Sequence, residues 1–378
     1  MLKVLHVIVG LNVGGAELML KRLIESQKKL PGYVHSVISL TDPGVIGPQL
    51  ISQGISVRCL GMKGLLGLPK AFFCLLTEMR KFRPDIVQTW MYHADFLGGL
   101  AARLAGVRSV IWGVRTTDLE RGGKSVTRLI RKLCAYLSRS VPTKIICAAE
   151  ASRKAHIAVG YNAQRMLVIP NGFDLSRLNA TEEERGVLRA SLSLSEEHLV
   201  IGSLGRFNPV KDQANFIAAT AMLAESNPAL RFLMVGRGLT PDNMALTELL
   251  SDTGYADRYI LLGERGDAPV CLSAMDIFCL HSKTEGFPNV LGEAMAMGVP
   301  SVVTDVGDAA LLLGGNGIVV PAQDARALAL GLKQMIDFSP EVRRLLSESA
   351  KTRIVEEFTM EQSSQKFRQL YEDLSMQV

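Results

Sequence analysis

Hydrophobic residues along the chain fall into short apolar runs that alternate with longer amphipathic stretches. A short apolar run between turn-forming residues is typical of a buried strand. The first half contains seven such runs, at 4–9, 36–40, 57–60, 86–89, 110–112, 145–148 and 167–169. The second half contains six, at 200–204, 232–235, 259–262, 277–280, 301–304 and 317–320. Helical stretches lie between most of them, and strands that alternate with helices predict an α/β fold with parallel sheets.

The length of the chain predicts two domains. Its 378 residues exceed what one ordinary hydrophobic core organises. The strand pattern restarts after the turn at 170–172, which predicts one domain over 1–172 and a second over 173–357. The polar, charged segment 174–197 is interpreted as the connection between them.

Composition and charge exclude several classes of protein. The net charge of +5 is too mild to indicate nucleic-acid binding. Six cysteines without a Cys-x-x-Cys pair are typical of reduced core residues, not of disulfides or a zinc site. The chain enters its first strand directly, without a signal peptide, and no apolar run is long enough to span a bilayer. We therefore expect a cytoplasmic protein.

The stretch 277–305 carries the strongest chemical signal. A strand is followed by a polar loop with Glu285, and then by a helix that starts at about Asn289 and contains Glu293. Carboxylates accept hydrogen bonds from sugar hydroxyls, whereas the free N–H groups of a helix N-terminus suit phosphate. The two features side by side predict a nucleotide-sugar site.

The sequences EGFPN at 285–289 and EAMAMGVP at 293–300 resemble the paired-glutamate motif of the retaining glycosyltransferases of family 4. This resemblance implies a GT-B fold, in which two Rossmann-like domains with parallel sheets face each other across a cleft. It implies that the N-terminal domain binds the acceptor and that the C-terminal domain binds the nucleotide sugar. It also implies that the last helix, at about 358–378, crosses back onto the first domain.

A second motif, GRFNPVKD at 205–212, follows the first strand of the second half. Two cations five residues apart on a loop can neutralise one diphosphate, and in the family these residues bind that of the donor. The turns at 234–238 and 262–265 resemble family turns near the nucleotide. On the resemblance, the residues with catalytic roles are His93, Arg206, Lys211 and Glu285. The residues that bind the donor are Gly14, Gly15, Gly236, Gly263, Arg265, Gly286, Phe287, Pro288, Asn289, Val290, Leu291 and Glu293.

Three loops of the first half carry the remaining candidates. The glycine-rich loop 10–17 lacks the spacing of a dinucleotide-binding fingerprint and matches the Gly-Gly-Ala-Glu of family 4, which faces the donor phosphate. His93 follows a strand, where family members hold a histidine near the transferred sugar. Arg115 and Asp118 also follow a strand. Arg115 could bind an acceptor phosphate or orient Asp118, and a surface ion pair explains it equally well.

The stretch 123–139 predicts a basic amphipathic helix, with an apolar set formed by Val126, Leu129, Ile130, Leu133 and Leu137. Such a helix suits an anionic membrane surface, and 65–82 could add a second apolar contact. A domain helix with a solvated basic face is the alternative. We hypothesise peripheral contact with the inner face of the cytoplasmic membrane.

The sequence contains no Asp-x-Asp motif, which argues against a metal-bridged diphosphate, so neither metal nor cofactor is expected. The resemblance implies transfer of a hexose from a nucleotide sugar, most simply a UDP-sugar, to a glycan or lipid-linked glycan in polysaccharide biosynthesis. Two alternatives stay open. One is a nucleotide-sugar epimerase of the same fold, and the other is a non-catalytic nucleotide-sugar-binding protein.

Overall fold

The chain forms two compact units, each built on its own parallel sheet. The structure is a computed structural model that describes residues 1–28, 32–117 and 125–376. The first unit comprises Met1–Gly172 with Met360–Val378, and the second comprises Phe173–Thr359.

The sheet of the first unit has, in the described ranges, seven strands in the order β3-β2-β1-β4-β5-β6-β7, all parallel. The strands are β1 (Leu2–Ile8), β2 (Tyr33–Ser39), β3 (Ser56–Cys59), β4 (Ile86–Trp90), β5 (Ser109–Val114), β6 (Lys144–Cys147) and β7 (Met166–Val168). The helices are α1 (Gly15–Lys28), α2 (Ile46–Ser52), α3 (Leu68–Phe82), α4 (Tyr92–Leu104), α5 (Ser125–Leu137), α6 (Glu150–Ala158) and, from the end of the chain, α15 (Met360–Met376).

Helices cover both faces of this sheet, which explains why most of its strands are largely apolar, whereas the edge strand β3 contains Arg58 and is mostly exposed. Successive side chains of a strand point to opposite faces. Leu5 of β1 accordingly packs in one buried cluster with residues of α3, α4 and α5. Val4 packs in the other, with residues of α1, α2 and α15. Phe367 and Tyr371 of α15 are buried in this second cluster, so the last helix completes the core of the first unit.

The sheet of the second unit has, among the described residues, six parallel strands in the order β10-β9-β8-β11-β12-β13. The strands are β8 (Leu199–Leu204), β9 (Leu230–Val235), β10 (Tyr259–Leu261), β11 (Ile277–Leu280), β12 (Ser301–Thr304) and β13 (Ile318–Val320). The helices are α7 (Glu182–Ser191), α8 (Gln213–Ala224), α9 (Met244–Ser251), α10 (Ala268–Ser273), α11 (Asn289–Ala296), α12 (Ala309–Leu313), α13 (Ala325–Asp337) and α14 (Pro340–Glu357). Every strand predicted from the apolar runs is present, and the prediction of two α/β domains with parallel sheets is confirmed.

The interpretation of 174–197 as a connection is wrong. The segment lies inside the second unit and contains α7, which Thr181 and Glu184 begin with a reciprocal capping box. Arg189 of this helix is only 3% exposed, pairs with Asp276 at 3.3 Å and donates to backbone carbonyls. The polar composition therefore belongs to a surface helix with an exposed acidic first turn, which Arg189 anchors to carbonyls of the same unit, and not to a linker.

The ends of the second unit are joined to each other. Phe173 N–H donates to Phe358 O at 2.8 Å, and Phe173 forms a parallel bridge with Thr359. The ring of Phe173 is fully buried and stacks on that of Phe287, which in turn contacts Phe358. Phe173 and Phe358, at the two ends of this unit, thus belong to one aromatic cluster with Phe287.

The helix predicted at 123–139 corresponds to α5, and its predicted apolar set is divided between two faces. Ile130, with Cys134, is buried in the core of the first unit, whereas Leu129 is 58% exposed and Leu133 is also exposed. Contact with a membrane through the exposed leucines stays a hypothesis.

Two further sequence expectations concern single residues and long helices. Cys134, Cys147, Cys271 and Cys279 are buried free thiols, but Cys59 is exposed, so it is not the core residue that its apolar run indicated. Within the described part of the chain, no helix has the length and apolarity needed to cross a bilayer.

Candidate active site

Each sheet has one position where the strand order reverses, and the candidate residues gather there. In the second unit, β8 lies between β9 and β11, so the loops after β8 and β11 diverge to opposite faces of the sheet. In the first unit, β1 lies between β2 and β4. In open parallel sheets the crevice beside such a reversal, at the carboxyl ends of the strands, is where ligands bind.

Lys211, Glu285 and Ser282 form a cluster at the reversal in the second unit. Lys211 Nζ lies 2.6 Å from Glu285 Oε1, and Ser282 Oγ donates to the same oxygen at 2.6 Å. The two charged side chains retain 20% and 13% of their exposure. The Glu285 carboxylate is therefore held by a cation and a hydroxyl while it still reaches the surface.

Backbone contacts between the two loops explain why Lys211 meets Glu285. His281 donates from Nδ1 to Lys211 O at 2.5 Å, and its ring stacks on Phe216. Lys283 N–H donates to Val210 O at 2.8 Å. Burial, together with the nearby Lys211 cation, lowers the pKa of His281 to about 4, so its imidazole is neutral at physiological pH.

Arg206 lies on the same loop as Lys211, but it is exposed. Its backbone carbonyl accepts from Gln213 Nε2 at 3.0 Å, which fixes the loop. Its guanidinium forms no hydrogen bond or ion pair within the ranges that the structure describes. A guanidinium group on a fixed backbone, with its N–H donors available, suits the binding of a phosphate.

The predicted donor loop and helix α11 rest on the aromatic cluster. Phe287 is buried on Phe173, and Gly292 leaves room for that ring, since an added Cβ would lie 2.0 Å from Phe173 Cζ. Glu293 is half-buried one turn into the helix. The side chain of Leu291 is fully buried, so any contact that it makes with a ligand involves its backbone.

The remaining candidates of this loop occupy the surface or support it. Gly286 O accepts from Asp308 N–H at 2.9 Å. Pro288 is buried at the N-cap of α11, while Asn289 and Val290 are half-buried in its first turn. A short helix start of this kind presents backbone N–H groups to the solvent-facing side.

Gly236, directly after β9, and Gly263, two residues after β10, join two neighbouring loops close to Gly205. Gly236 N–H donates to Gly263 O at 2.7 Å, and Gly236 has φ +147. A Cβ at Gly236 would lie 2.2 Å from Gly205 O, so the close approach requires glycine. Arg265 already makes a two-pronged contact with Asp267, and its cation is therefore occupied.

In the first unit, Gly14 and Gly15 lie where β1 passes into α1. Gly14 O accepts from Leu18 N–H at 2.9 Å, and a Cβ at Gly14 would meet the Glu17 carboxylate. Burial raises the pKa of Glu17. The Glu17 carboxylate therefore lies in the space that a side chain at position 14 would fill.

His93 lies in the first turn of α4, at the reversal between β1 and β4. Its ring is half-buried and forms no hydrogen bond with any residue that the structure describes. Burial lowers the pKa of His93, which favours the neutral imidazole. A neutral ring with free nitrogens at this edge can either donate to or accept from a ligand.

Arg115 is held between aromatic rings. It donates to Asn171 Oδ1 at 2.8 Å, and its guanidinium carbon lies 4.7 Å from the centroid of Trp90. Asp118 lies outside the described residues, so the predicted pairing of these two side chains is not described. The position of Arg115 supports a structural cation–π contact in the first unit.

Ser282 was not among the predicted site residues, and it shares Glu285 with Lys211. The available signal was its position three residues before Glu285, which is the spacing of a local side-chain contact.

No group of three or more His, Cys, Asp or Glu side chains that could hold a metal ion occurs among the described residues.

Two family profiles match this chain. The profile described as Glycosyltransferase Family 4 matches residues 13–177, and the one described as Glycosyl transferases group 1 matches residues 198–337. The matches fall largely on the first and the second unit, respectively.

Two curated relatives match over most of their length. The Escherichia coli UDP-Gal:alpha-D-GlcNAc-diphosphoundecaprenol alpha-1,3-galactosyltransferase is 27% identical over 310 residues, covering 81% of this chain and 79% of that protein. The putative glycosyltransferase EpsF of Bacillus subtilis is 27% identical over 315 residues, covering 80% of this chain and 79% of the relative.

Solved structures show the same fold. HepE of Anabaena in complex with UDP aligns with a TM-score of 0.86 at 23% identity, over 98% of this chain and 100% of that one. WaaG, a glycosyltransferase involved in lipopolysaccharide biosynthesis, aligns with a TM-score of 0.73 at 15% identity, over 96% and 98% of the two chains.

Proposed function

Because this chain belongs to the family 4 glycosyltransferases, we propose that it transfers a hexose from a UDP-sugar to a glycan or lipid-linked glycan, with retention at the anomeric carbon. It is a glycosyltransferase of the GT-B type that acts in polysaccharide biosynthesis. The UDP donor is supported by the name of the Escherichia coli relative and by the UDP bound to HepE.

The observation that carries the proposal is the cluster at the reversal between β8 and β11. Lys211 and the exposed Arg206 supply two positive charges on one fixed loop, and Glu285 lies 2.6 Å from Lys211. A nucleoside diphosphate needs cations, and the sugar attached to it needs a hydroxyl acceptor beside them. On this proposal Glu285 binds hydroxyls of the donor sugar and Glu293 binds those of the ribose.

The reaction that we propose proceeds on one face of the sugar. The bond from the anomeric carbon to the phosphate oxygen breaks, the bond to the acceptor oxygen forms, and the acceptor proton passes to the departing phosphate. Arg206 and Lys211 stabilise the negative charge that grows on the leaving UDP. His93 contacts the transferred sugar, and Gly14 and Gly15 present backbone N–H groups to the donor phosphate.

The two cations take the electrostatic role that a divalent metal has in metal-dependent transferases, so we propose that turnover needs no metal. Equal rates with EDTA and with added Mg²⁺ are expected. A rate restored only by Mg²⁺ or Mn²⁺ would overturn this part of the proposal.

Calorimetry with UDP, GDP and ADP in the presence of EDTA tests the donor site. UDP should bind most tightly, and Glu293→Ala should weaken it by roughly tenfold to a hundredfold, since hydrogen bonds to a charged group contribute about 1.5–3 kcal/mol. Preferential binding of GDP or ADP would assign a different donor base. Undiminished UDP binding by Glu293→Ala would remove Glu293 from the site.

Product analysis tests the chemistry. NMR of the anomeric proton should show the donor's configuration in the product, and an inverted product would contradict the one-face reaction. Conversion of the nucleotide sugar without an acceptor would indicate an epimerase instead. Binding of UDP-sugars without turnover, with every acceptor tried, would indicate a binding protein.

We also propose that α5 docks the enzyme on an anionic membrane that carries a lipid-linked acceptor. Leu129, Leu133 and Tyr136 form an exposed stripe at helical spacing, with Tyr136 73% exposed. Arg128 and Lys132 are exposed beside them. Apolar side chains flanked by cations match the acyl boundary and head groups of anionic lipids.

Sedimentation with phosphatidylserine vesicles at low salt tests this surface. Leu129→Glu with Tyr136→Glu should abolish sedimentation, because it removes apolar contact and adds negative charge. Leu330→Glu is the matched control, since Leu330 is an equally exposed leucine, at 63%, on α13 of the second unit. Equal sedimentation of both variants, or none by the wild type, would refute docking through α5.

A further inference from the structure

Met91, between β4 and α4, has a backbone conformation that residues other than glycine rarely adopt. Its φ is +74 and its ψ is 157. Arg83 and Asp212 also have positive φ, but they lie in the ordinary left-handed region at helix ends. The Met91 conformation is nearly restricted to glycine, and it persists only where the surrounding structure enforces it.

Hydrogen bonds to β5 and α4 enforce this conformation on two sides. Met91 N–H donates to Gly113 O at 2.9 Å, and Asp95 N–H donates to Met91 O at 2.9 Å. The Asp95 carboxylate accepts from Thr89 Oγ1 at 2.5 Å and from Gly113 N–H at 3.3 Å. Gly113 has no space for a side chain, because its Cβ would lie 2.6 Å from Thr89 O. The ends of β4 and β5 and the first turn of α4 are therefore joined through Asp95.

A second contact fixes the other side of this turn. Tyr92 is buried and its hydroxyl lies 2.6 Å from His156 Nε2. His156 Nδ1 lies 2.7 Å from Ser152 O, and a carbonyl only accepts, so Nδ1 donates and Nε2 accepts from Tyr92. This bond ties α4 to α6.

His93 is placed between these contacts. Its neighbours in sequence are held by His156 on one side and by Asp95 on the other, whereas its own ring forms no hydrogen bond with the described residues. The turn holds the backbone of His93 and leaves its imidazole for a ligand.

We propose that Met91, Tyr92, Asp95 and His156 are positioning residues for His93, and that the enforced Met91 conformation fixes the direction of its imidazole at the sugar. This inference rests on the proposed function, in which His93 contacts the transferred sugar. It assigns a role to four residues that lie outside the donor-binding cluster.

Tyr92→Phe tests the positioning role, and two Met91 variants test the strain. Tyr92→Phe removes the hydroxyl that holds the turn to His156, so kcat for hexose transfer should fall by roughly tenfold to a hundredfold, since small misplacements of reacting groups have effects of this size. The Kd for UDP should not change. Glycine adopts the φ and ψ of Met91 without strain and alanine does not, so Met91→Gly should melt at a higher temperature than Met91→Ala.

A double-variant cycle with His93→Ala identifies the route of the effect. If Tyr92 acts through His93, Tyr92→Phe, which removes only the hydroxyl, should not lower kcat further in a His93→Ala background. Additive losses, or equal kcat for Tyr92→Phe and the wild type, would overturn the positioning role.

Failure of the proposed function gives a different result. An inactive wild type that binds no UDP-sugar would refute the donor assignment, while the melting temperatures of the two Met91 variants would still report on the strained turn. Equal melting temperatures of Met91→Gly and Met91→Ala would refute the strain itself.

Discussion

Replacing Lys211 by methionine tests the ion pair at the centre of the donor site. The variant leaves the Glu285 carboxylate with Ser282 as its remaining donor in the described structure. An exposed pair contributes about 0–1 kcal/mol, and stranding one partner of a fully buried pair costs about 3–5 kcal/mol. With side chains 20% and 13% exposed, Lys211→Met should lower the free energy of unfolding by about 2 kcal/mol, an intermediate value.

Adding Glu285→Gln should restore most of that stability, because it removes the stranded charge and keeps an acceptor for Ser282. The double variant should lie within about 1 kcal/mol of the wild type. Activity should respond differently: kcat/KM should fall roughly 10²–10³-fold in Lys211→Met and should not recover in the double variant, because the cation that stabilises the leaving UDP is still absent.

The assay must report on the second unit. Both tryptophans, Trp90 and Trp112, belong to the first unit, so intrinsic fluorescence follows the wrong domain. Hydrogen exchange of the β8 and β11 amides reports the stability of the second unit directly. Turnover of a UDP-sugar is measured on the same preparations.

An exposed pair of the same length provides the control. Lys333 Nζ lies 2.7 Å from Asp337 Oδ2 on α13, with side chains 59% and 58% exposed. Lys333→Met should change stability by less than about 1 kcal/mol. Equal losses for Lys333→Met and Lys211→Met would refute the reasoning from burial, as would a double variant no more stable than Lys211→Met.

Three further changes separate the parts of the second unit. Gly292→Ala should lower the free energy of unfolding of this unit by about 1–3 kcal/mol in urea denaturation, because the new methyl group meets Phe173. Gly186→Ala, which has open space in α7, should raise that free energy by about 0.5–1 kcal/mol. A Gly292→Ala variant that is more stable than Gly186→Ala would contradict the packing argument. Arg206→Met should weaken UDP binding by roughly tenfold to a hundredfold. It should not change the melting temperature, since this exposed cation has no partner in the described structure. An unchanged Kd for UDP in calorimetry would exclude Arg206 from the site. The pKa of His281 is about 4 in the folded protein, below its ordinary value of 6.5. Between these two pH values the unfolded chain binds a proton that the folded protein does not bind. The free energy of unfolding should therefore fall as the pH drops from 6.5 towards 4, by up to about 3 kcal/mol. His281→Asn keeps a donor for the backbone carbonyl of the neighbouring loop and should flatten this pH dependence of the urea midpoint, and an unchanged slope would assign the effect elsewhere.

Most strands were predictable because both of their faces are buried. A strand such as β4, in which all five residues are buried, is apolar or uncharged throughout and stands out from the amphipathic helices around it. The candidate donor loop was predictable for a different reason, since the sequences EGFPN at 285–289 and EAMAMGVP at 293–300 resemble the paired-glutamate motif of family 4.

Features that depend on tertiary contacts were not predictable. The polar composition of 174–197 predicted a linker. In the structure Arg189 of this segment is buried and donates to backbone carbonyls, and the sequence alone does not show that these groups come together. Leu129 belongs to a helical apolar pattern, yet its exposure depends on which face of α5 meets α4. The backbone conformation of Met91 could not be predicted from the sequence. A positive φ of this kind is expected at glycine, and the residue at this position is a methionine.

The place of α15 has a consequence for the order in which the protein is made. Phe367 and Tyr371 complete the core of the first unit, but the ribosome synthesises them after the whole of Phe173–Thr359. At about 5–20 residues per second, the first unit waits roughly 10–40 s with its α15-binding face open to solvent. The second unit can fold during that interval, since its own ends meet at Phe173 and Phe358. The domain that is translated first is therefore the one that finishes folding last, and the nascent chain is most exposed to aggregation and most dependent on chaperones while it waits for its final helix.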